Sequence, residues 1–140
     1  MGEGIVLKYN VPGDDFTRAG EASGAVKSQL KQMQLSPDVV RRVAIAMYEG
    51  EINMVIHAEG GTIEVCITPE YIDMVLKDKG PGIPDVEKAM QAGYSTAPDN
   101  VRNLGFGAGM GLPNMKKYTD EMKVETTLGV GTTVTMRIYI

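Results

Sequence analysis

The sequence predicts an α+β fold, a two-layer α/β sandwich in which a mixed, mostly antiparallel sheet is covered on one face by helices. Three observations predict it. Short alternating apolar stretches come in pairs across brief turns, at 62–68 with 71–78 and at 123–127 with 132–140, and such pairs are hairpins. Two longer stretches repeat apolar residues at intervals of three and four, so each is a helix with one face to bury. Finally, 140 residues is the length of one compact domain, 1–140, with a single core, for which helices laid on one face of a sheet are the simplest packing.

Taken in order, Ile5, Leu7 and Tyr9 alternate with Val6, Lys8 and Asn10 as a strand does, and Pro12-Gly13 stops it. Asp14 or Asp15 can cap the helix that follows. Its stripe is Phe16, Ala19, Ala22, Val26, Leu30 and Met33, with Gly20 and Gly24 as weak points. Ser36-Pro37-Asp38 starts a second helix, with serine as N-cap, proline at the first helical position and an acid near the positive end of the dipole. That helix should run to about residue 57, where Gly60-Gly61 ends it. After the first hairpin, turned by Pro69-Glu70, a short helix is expected at 84–91, then a long loop from Gly93, then a helix at 110–118 and the terminal hairpin around Gly129-Val130-Gly131. Loops of that length are often functional.

Composition narrows the function. The net charge is −4 and the 14 basic residues are scattered, with nothing longer than a pair such as Arg41-Arg42 or Lys116-Lys117, which argues against nucleic acid. One histidine and one cysteine do not make a nitrogen–sulfur zinc site, so a hard cation held by oxygen is the metal to expect. There is no apolar run near the ~20 residues that span a bilayer and no basic-then-apolar leader. A cytoplasmic protein that binds no membrane is therefore expected. Cys66 lies in an alternating apolar stretch and is expected to be a buried thiol.

Chemistry gathers in four places. Glu49 and Asn53 stand four apart on the second helix, on one face and within roughly 6 Å at Cβ, where they can converge on one ligand. Glu51 lies about 160° around the helix from Asn53 and is expected to be solvated. Asp78, Gly80 and Gly82 follow a strand directly; an aspartate there can accept from an exocyclic amine, and the glycines let a flat ring lie against the backbone. Gly105, Gly107, Gly109 and Gly111 alternate through 105–112, with Met110 and Leu112 leading into a helix, an arrangement of free amides suited to phosphate. A dinucleotide crossover needs its glycines between parallel strands, and no Gly-x-x-x-x-Gly-Lys-Ser/Thr run is present.

The order of these pieces is more specific than any one of them. Glu49-x-x-x-Asn53, Asp78-x-Gly80-x-Gly82, the run 105–112 and Gly129-x-Gly131-Thr132-Thr133 together resemble the GHKL ATPase superfamily, over about 36–140. Within it the chain looks most like the anti-sigma factor serine/threonine kinases and the related switch kinases of bacterial stress signalling, through 53–58, 78–85 and 93–96. The resemblance implies that ATP and Mg²⁺ are bound. Glu49 would activate the attacking hydroxyl, Asn53 would hold the metal, and Asp78 would read the adenine amino group. Gly82 would line the adenine pocket, 105–111 would wrap the phosphates in a mobile lid, and Thr132 would support the adenine. Gly50 stands where the family more often has alanine, which weakens the helix by about 0.5–1 kcal/mol relative to Ala.

The function implied is that of an anti-sigma-factor-like kinase phosphorylating a small STAS-type (anti-anti-sigma) regulator and sequestering a sigma factor, with a homodimer through the first strand as a further expectation. The alternatives are a non-catalytic switch gated by ATP and the detached ATPase domain of a histidine kinase. His57 falls inside the ATP-site helix, a poor position for a phosphoacceptor.

Overall fold

The computed structural model of the chain describes residues 4–12, 20–57, 60–80 and 111–140. Among them run β1 (Ile5–Pro12), α1 (Glu21–Gln32), α2 (Pro37–His57), β2 (Gly60–Ile67), β3 (Tyr71–Asp78), α3 (Gly111–Lys117), β4 (Glu121–Thr127) and β5 (Gly131–Tyr139). The strands form one five-stranded sheet in the order β1-β2-β3-β5-β4. Every pair is antiparallel, which sharpens the mixed sheet expected from sequence. The helix expected at 84–91 and the loop from Gly93 lie outside the described residues.

Strand alternation sorts the sheet into two faces. Ile63, Val65 and Ile67, Ile72, Met74 and Leu76, and Val134, Met136 and Ile138 all point inward and are buried, each contributing about 1.5–3 kcal/mol of apolar transfer. The same parity turns Cys66 outward, opposite Val6 and Asp73, so the thiol is half-buried rather than buried as expected. On that outer face Arg137 bridges Asp73 through two bonds of 2.7 and 2.8 Å and lies 3.8 Å over the Tyr71 ring. The Asp73 carboxylate holds the guanidinium in its charged form.

The inner face is covered by the helices, with α2 central. Ser36 Oγ accepts from the Val39 N–H at 3.2 Å, the N-cap that the sequence predicts. At the same end Arg42 donates to the Tyr118 carbonyl and, at 3.0 Å, to Asp120, tying α2 to the turn between α3 and β4. The Tyr139 N–H, ahead of Arg42, holds the Asp120 carboxyl below its ordinary range. No helix among the described residues is long and apolar enough to cross a membrane.

Two expectations change here. The first helix starts at Glu21, because Gly20 takes φ 97° and offers no side-chain cap; the proposed caps Asp14 and Asp15 lie outside the described residues. The missing cap comes from Glu51. That residue is not solvated but 2% exposed, and its carboxylate accepts from the N–H groups of Gly20, Ala22 and Ser23 at 3.0, 3.2 and 3.0 Å. The first-turn amides of a helix lack partners within it, and an acid beside them also meets the positive end of the dipole. A glutamate 28 to 31 residues away thus does what a neighbouring serine or aspartate usually does.

Gly50 explains itself by proximity. A Cβ there would stand 2.2 Å from Leu76 Cδ2 and 3.0 Å from Met115 Cε, so the glycine lets α2 settle between β3 and α3. Gly61, expected to stop α2, instead sits in β2 opposite Asp78. A Cβ on Gly61 would meet the Lys77 carbonyl oxygen at 2.1 Å and Asp78 Cα at 2.8 Å, and backbone cannot swing aside as a side chain can.

Two stability measurements check these contacts. Glu51→Ala strands donors at the start of α1 and should lower the denaturant-unfolding free energy by at least about 2 kcal/mol, with Glu51→Gln in between. A loss under about 0.5 kcal/mol, the size of an ordinary surface substitution, would mean that Glu51 does not cap α1. Gly61→Ala should cost about 1–3 kcal/mol, whereas a stabilised variant would show that the strands have room to part.

Candidate functional site

The sequence-predicted site residues that are described fall around one end of α2. One helical turn carries Glu49 and Asn53, both half-buried. Its sheet-facing residue Gly50 touches Leu76 of β3, and Met54 reaches the place where Gly61 and Asp78 lie side by side. The turn therefore passes over the C-terminal end of β3, and this brings Glu49 and Asn53 to the strand that ends in Asp78.

Asp78 is held from two directions. Its Oδ1 accepts from the Gly80 N–H at 2.9 Å, two residues on, and from the Thr132 N–H of β5 at 3.0 Å. The local bond is the turn that aspartate favours, and the second pins the carboxylate to the neighbouring strand. Close approach on that side requires Gly131, which has φ 152° and whose Cβ would stand 2.2 Å from the Asp78 carbonyl oxygen. Gly61 and Gly131 thus flank Asp78, and neither tolerates a side chain. Among the described residues no donor occupies Oδ2, so the carboxylate keeps a fixed acceptor.

Thr132 is buried, its hydroxyl 2.9 Å from that of Thr126, and its described tie to the site is the amide donated to Asp78. Gly80 is buried beside Asp78. Gly111 begins α3, and Leu112, 7% exposed, belongs to the core beneath it. Gly82, Gly105, Gly107, Gly109 and Met110 lie outside the described residues.

One residue was missed. Asn114 of α3 donates from Nδ2 to Glu49 Oε2 at 2.6 Å, a short bond of the kind made to a charged acceptor. The only sequence signal was position: a polar residue just after the glycine run, followed by Met115, which is 1% exposed. A cavity of about 330 Å³ between α1 and α2 reaches Glu49 from the other direction, lined there by Gly20, Ser23, Lys27, Ala44 and Tyr48.

Residues 14–138 match the histidine kinase-like ATPase domain family, a span that begins ahead of the 36–140 expected from the motifs and takes in α1. The anti-sigma F factor of Caldanaerobacter subterraneus subsp. tengcongensis is 38% identical over 114 residues, 76% of each chain. That of Clostridium acetobutylicum is 31% identical over 129 residues, 89% of this chain and 83% of the relative. A chain in the crystal structure of the SiaB-SiaC complex from Pseudomonas aeruginosa shares the fold, with a TM-score of 0.60 at 14% identity over 96% of this chain and 88% of that one. With Glu49 and Asn53 set on the turn of α2 that passes over the end of β3, and with a family match across 14–138, the chain belongs to the histidine kinase-like ATPase domain family, as a homologue of the anti-sigma F factors.

Proposed function

We propose that the chain binds ATP with Mg²⁺ at the end of α2 and transfers the terminal phosphoryl group to a serine or threonine of a small STAS-type regulator, with sequestration of a sigma factor as a second binding role. The observation that carries this reading is the pairing of two facts. The motif residues Glu49 and Asn53 lie on one turn of α2 over the end of β3, where Asp78 is fixed, and the relatives over most of the chain are anti-sigma F factors.

The donor chemistry fits the ligands. Asp78, with Oδ1 taken by two backbone amides, offers Oδ2 to an exocyclic amine, which adenine has and which guanine does not present at the same ring position. The Asn53 amide oxygen is a hard donor of the type that Mg²⁺ takes. The bound ion would neutralise charge on the phosphates, so that little covalent work is left to the protein. Glu49 then accepts the proton of the attacking hydroxyl as its oxygen bonds to phosphorus and the bond to ADP breaks. Cytoplasmic location and a homodimer through β1, the sheet edge where Ile5 and Val6 are exposed, belong to the same reading.

Radiolabelled ATP with a purified STAS domain tests it. The wild type should place label on serine or threonine. Glu49→Ala should bind ATP within about 3-fold of wild type yet transfer at least about 100-fold more slowly, the size of a lost general base. Equal transfer by both proteins would remove Glu49 from catalysis. Asp78→Asn should weaken ATP by about 10- to 100-fold, as expected for a lost bond to a charged acceptor, and leave the weak binding of GTP unchanged. Removing Mg²⁺ with EDTA should weaken ATP binding in the wild type more than in Asn53→Ala; equal losses would place the metal on other ligands.

A further inference from the structure

We infer that Asn114 is a positioning residue for Glu49, holding the carboxylate so that one oxygen is fixed and the other faces the acceptor hydroxyl; the inference rests on the kinase reading above. A glutamate side chain has three rotatable bonds, and a proton acceptor is effective only when it is held within hydrogen-bond reach of the proton it takes. On α2 alone nothing restrains Glu49. The restraint comes from α3, where Asn114 Nδ2 donates to Oε2 at 2.6 Å across 65 residues of sequence. A carboxylate offers no proton, so the amide must present its nitrogen. Among the described residues Oε1 has no partner, and it is the oxygen left for the substrate proton.

The placement of Asn114 is itself fixed. Its neighbour Met115 is 1% exposed, and Met115 Cε lies 3.0 Å from where a Cβ on Gly50 would stand. The missing side chain at Gly50, next to Glu49, leaves room for Met115 and so for α3 to pack against this turn of α2. Asn114 is not bonded to Asp78, whose two described donors are Gly80 and Thr132, and so it should not affect adenine recognition. Displacing a reacting group by about 1 Å can cost about 100-fold in rate, which sets the scale for losing the partner that holds it.

The test measures phosphoryl transfer from ATP to a purified STAS domain by wild type, Asn114→Ala, Asn114→Asp, Glu49→Ala and the Glu49→Ala/Asn114→Ala double variant, alongside thermal unfolding. Asn114→Asp keeps the shape, loses the donor and sets a like charge against Glu49, so it disturbs the carboxylate without removing packing. The expected result is a kcat lower by about 10- to 100-fold in both single Asn114 variants, with KM for ATP within about 2-fold. No further loss is expected when Asn114→Ala is added to Glu49→Ala, and unfolding should stay cooperative. If the wild type transfers phosphate and the Asn114 variants keep its kcat, or if the losses in the double variant multiply, the positioning role is overturned while the kinase reading stands. If the wild type transfers nothing, the kinase reading fails and the positioning role falls with it.

Discussion

Three consecutive residues of α2 face three different parts of the molecule, and the rest of the structure depends on their doing so together. Successive side chains on a helix point about 100° apart. Gly50 faces the sheet, against Leu76. Glu51, one step round, reaches the start of α1 and takes three of its amides. Glu49, one step the other way, is met by Asn114 of α3. A rotation of α2 that improved any of these contacts would lose the other two, so the helix has one orientation, and the Glu49 carboxylate, the proposed base, inherits it. Two glutamates two residues apart consequently have unlike roles, one sealing a helix end in the interior and the other half-buried at the site.

The second fixed point is the end of β3. Antiparallel pairing with β2 and β5 sets Asp78 beside two glycines, and in each case an added Cβ would strike the backbone of 77–79. The strands approach closely there because both positions lack side chains, and the Thr132 amide is thereby brought to the Asp78 carboxylate. The site is thus assembled from a helix that cannot turn and a strand end that cannot move apart from its neighbours, which is the rigidity that the proposed phosphoryl transfer would require.

Much of this could be read from the sequence, because the signals involved are local. The alternation in β2, β3 and β5, the Ser36 cap and the four-residue spacing of Glu49 and Asn53 are all set by contacts within a few residues, and the motif order pointed to the family. What escaped was non-local. Periodicity gives the angle of Glu51 around α2 but not what lies at that angle, and the helix it caps starts at a glycine with no capping side chain of its own. Gly61 read as a helix stop because its near contact, the backbone of Lys77 and Asp78, is made only once β2 and β3 pair. Asn114 carried no recognisable spacing to Glu49. Cys66 was assigned the wrong face because an apolar stretch does not declare which of its two parities turns inward.

The most direct test of the site is a crystal structure of the chain with Mg²⁺ and a non-hydrolysable ATP analogue. The predicted result places the adenine amino group within hydrogen-bond distance of Asp78 Oδ2, the metal on the Asn53 amide oxygen, and Glu49 beside the terminal phosphate with Asn114 still on Oε2. A nucleotide seated elsewhere, or an adenine that leaves Asp78 untouched, would contradict it.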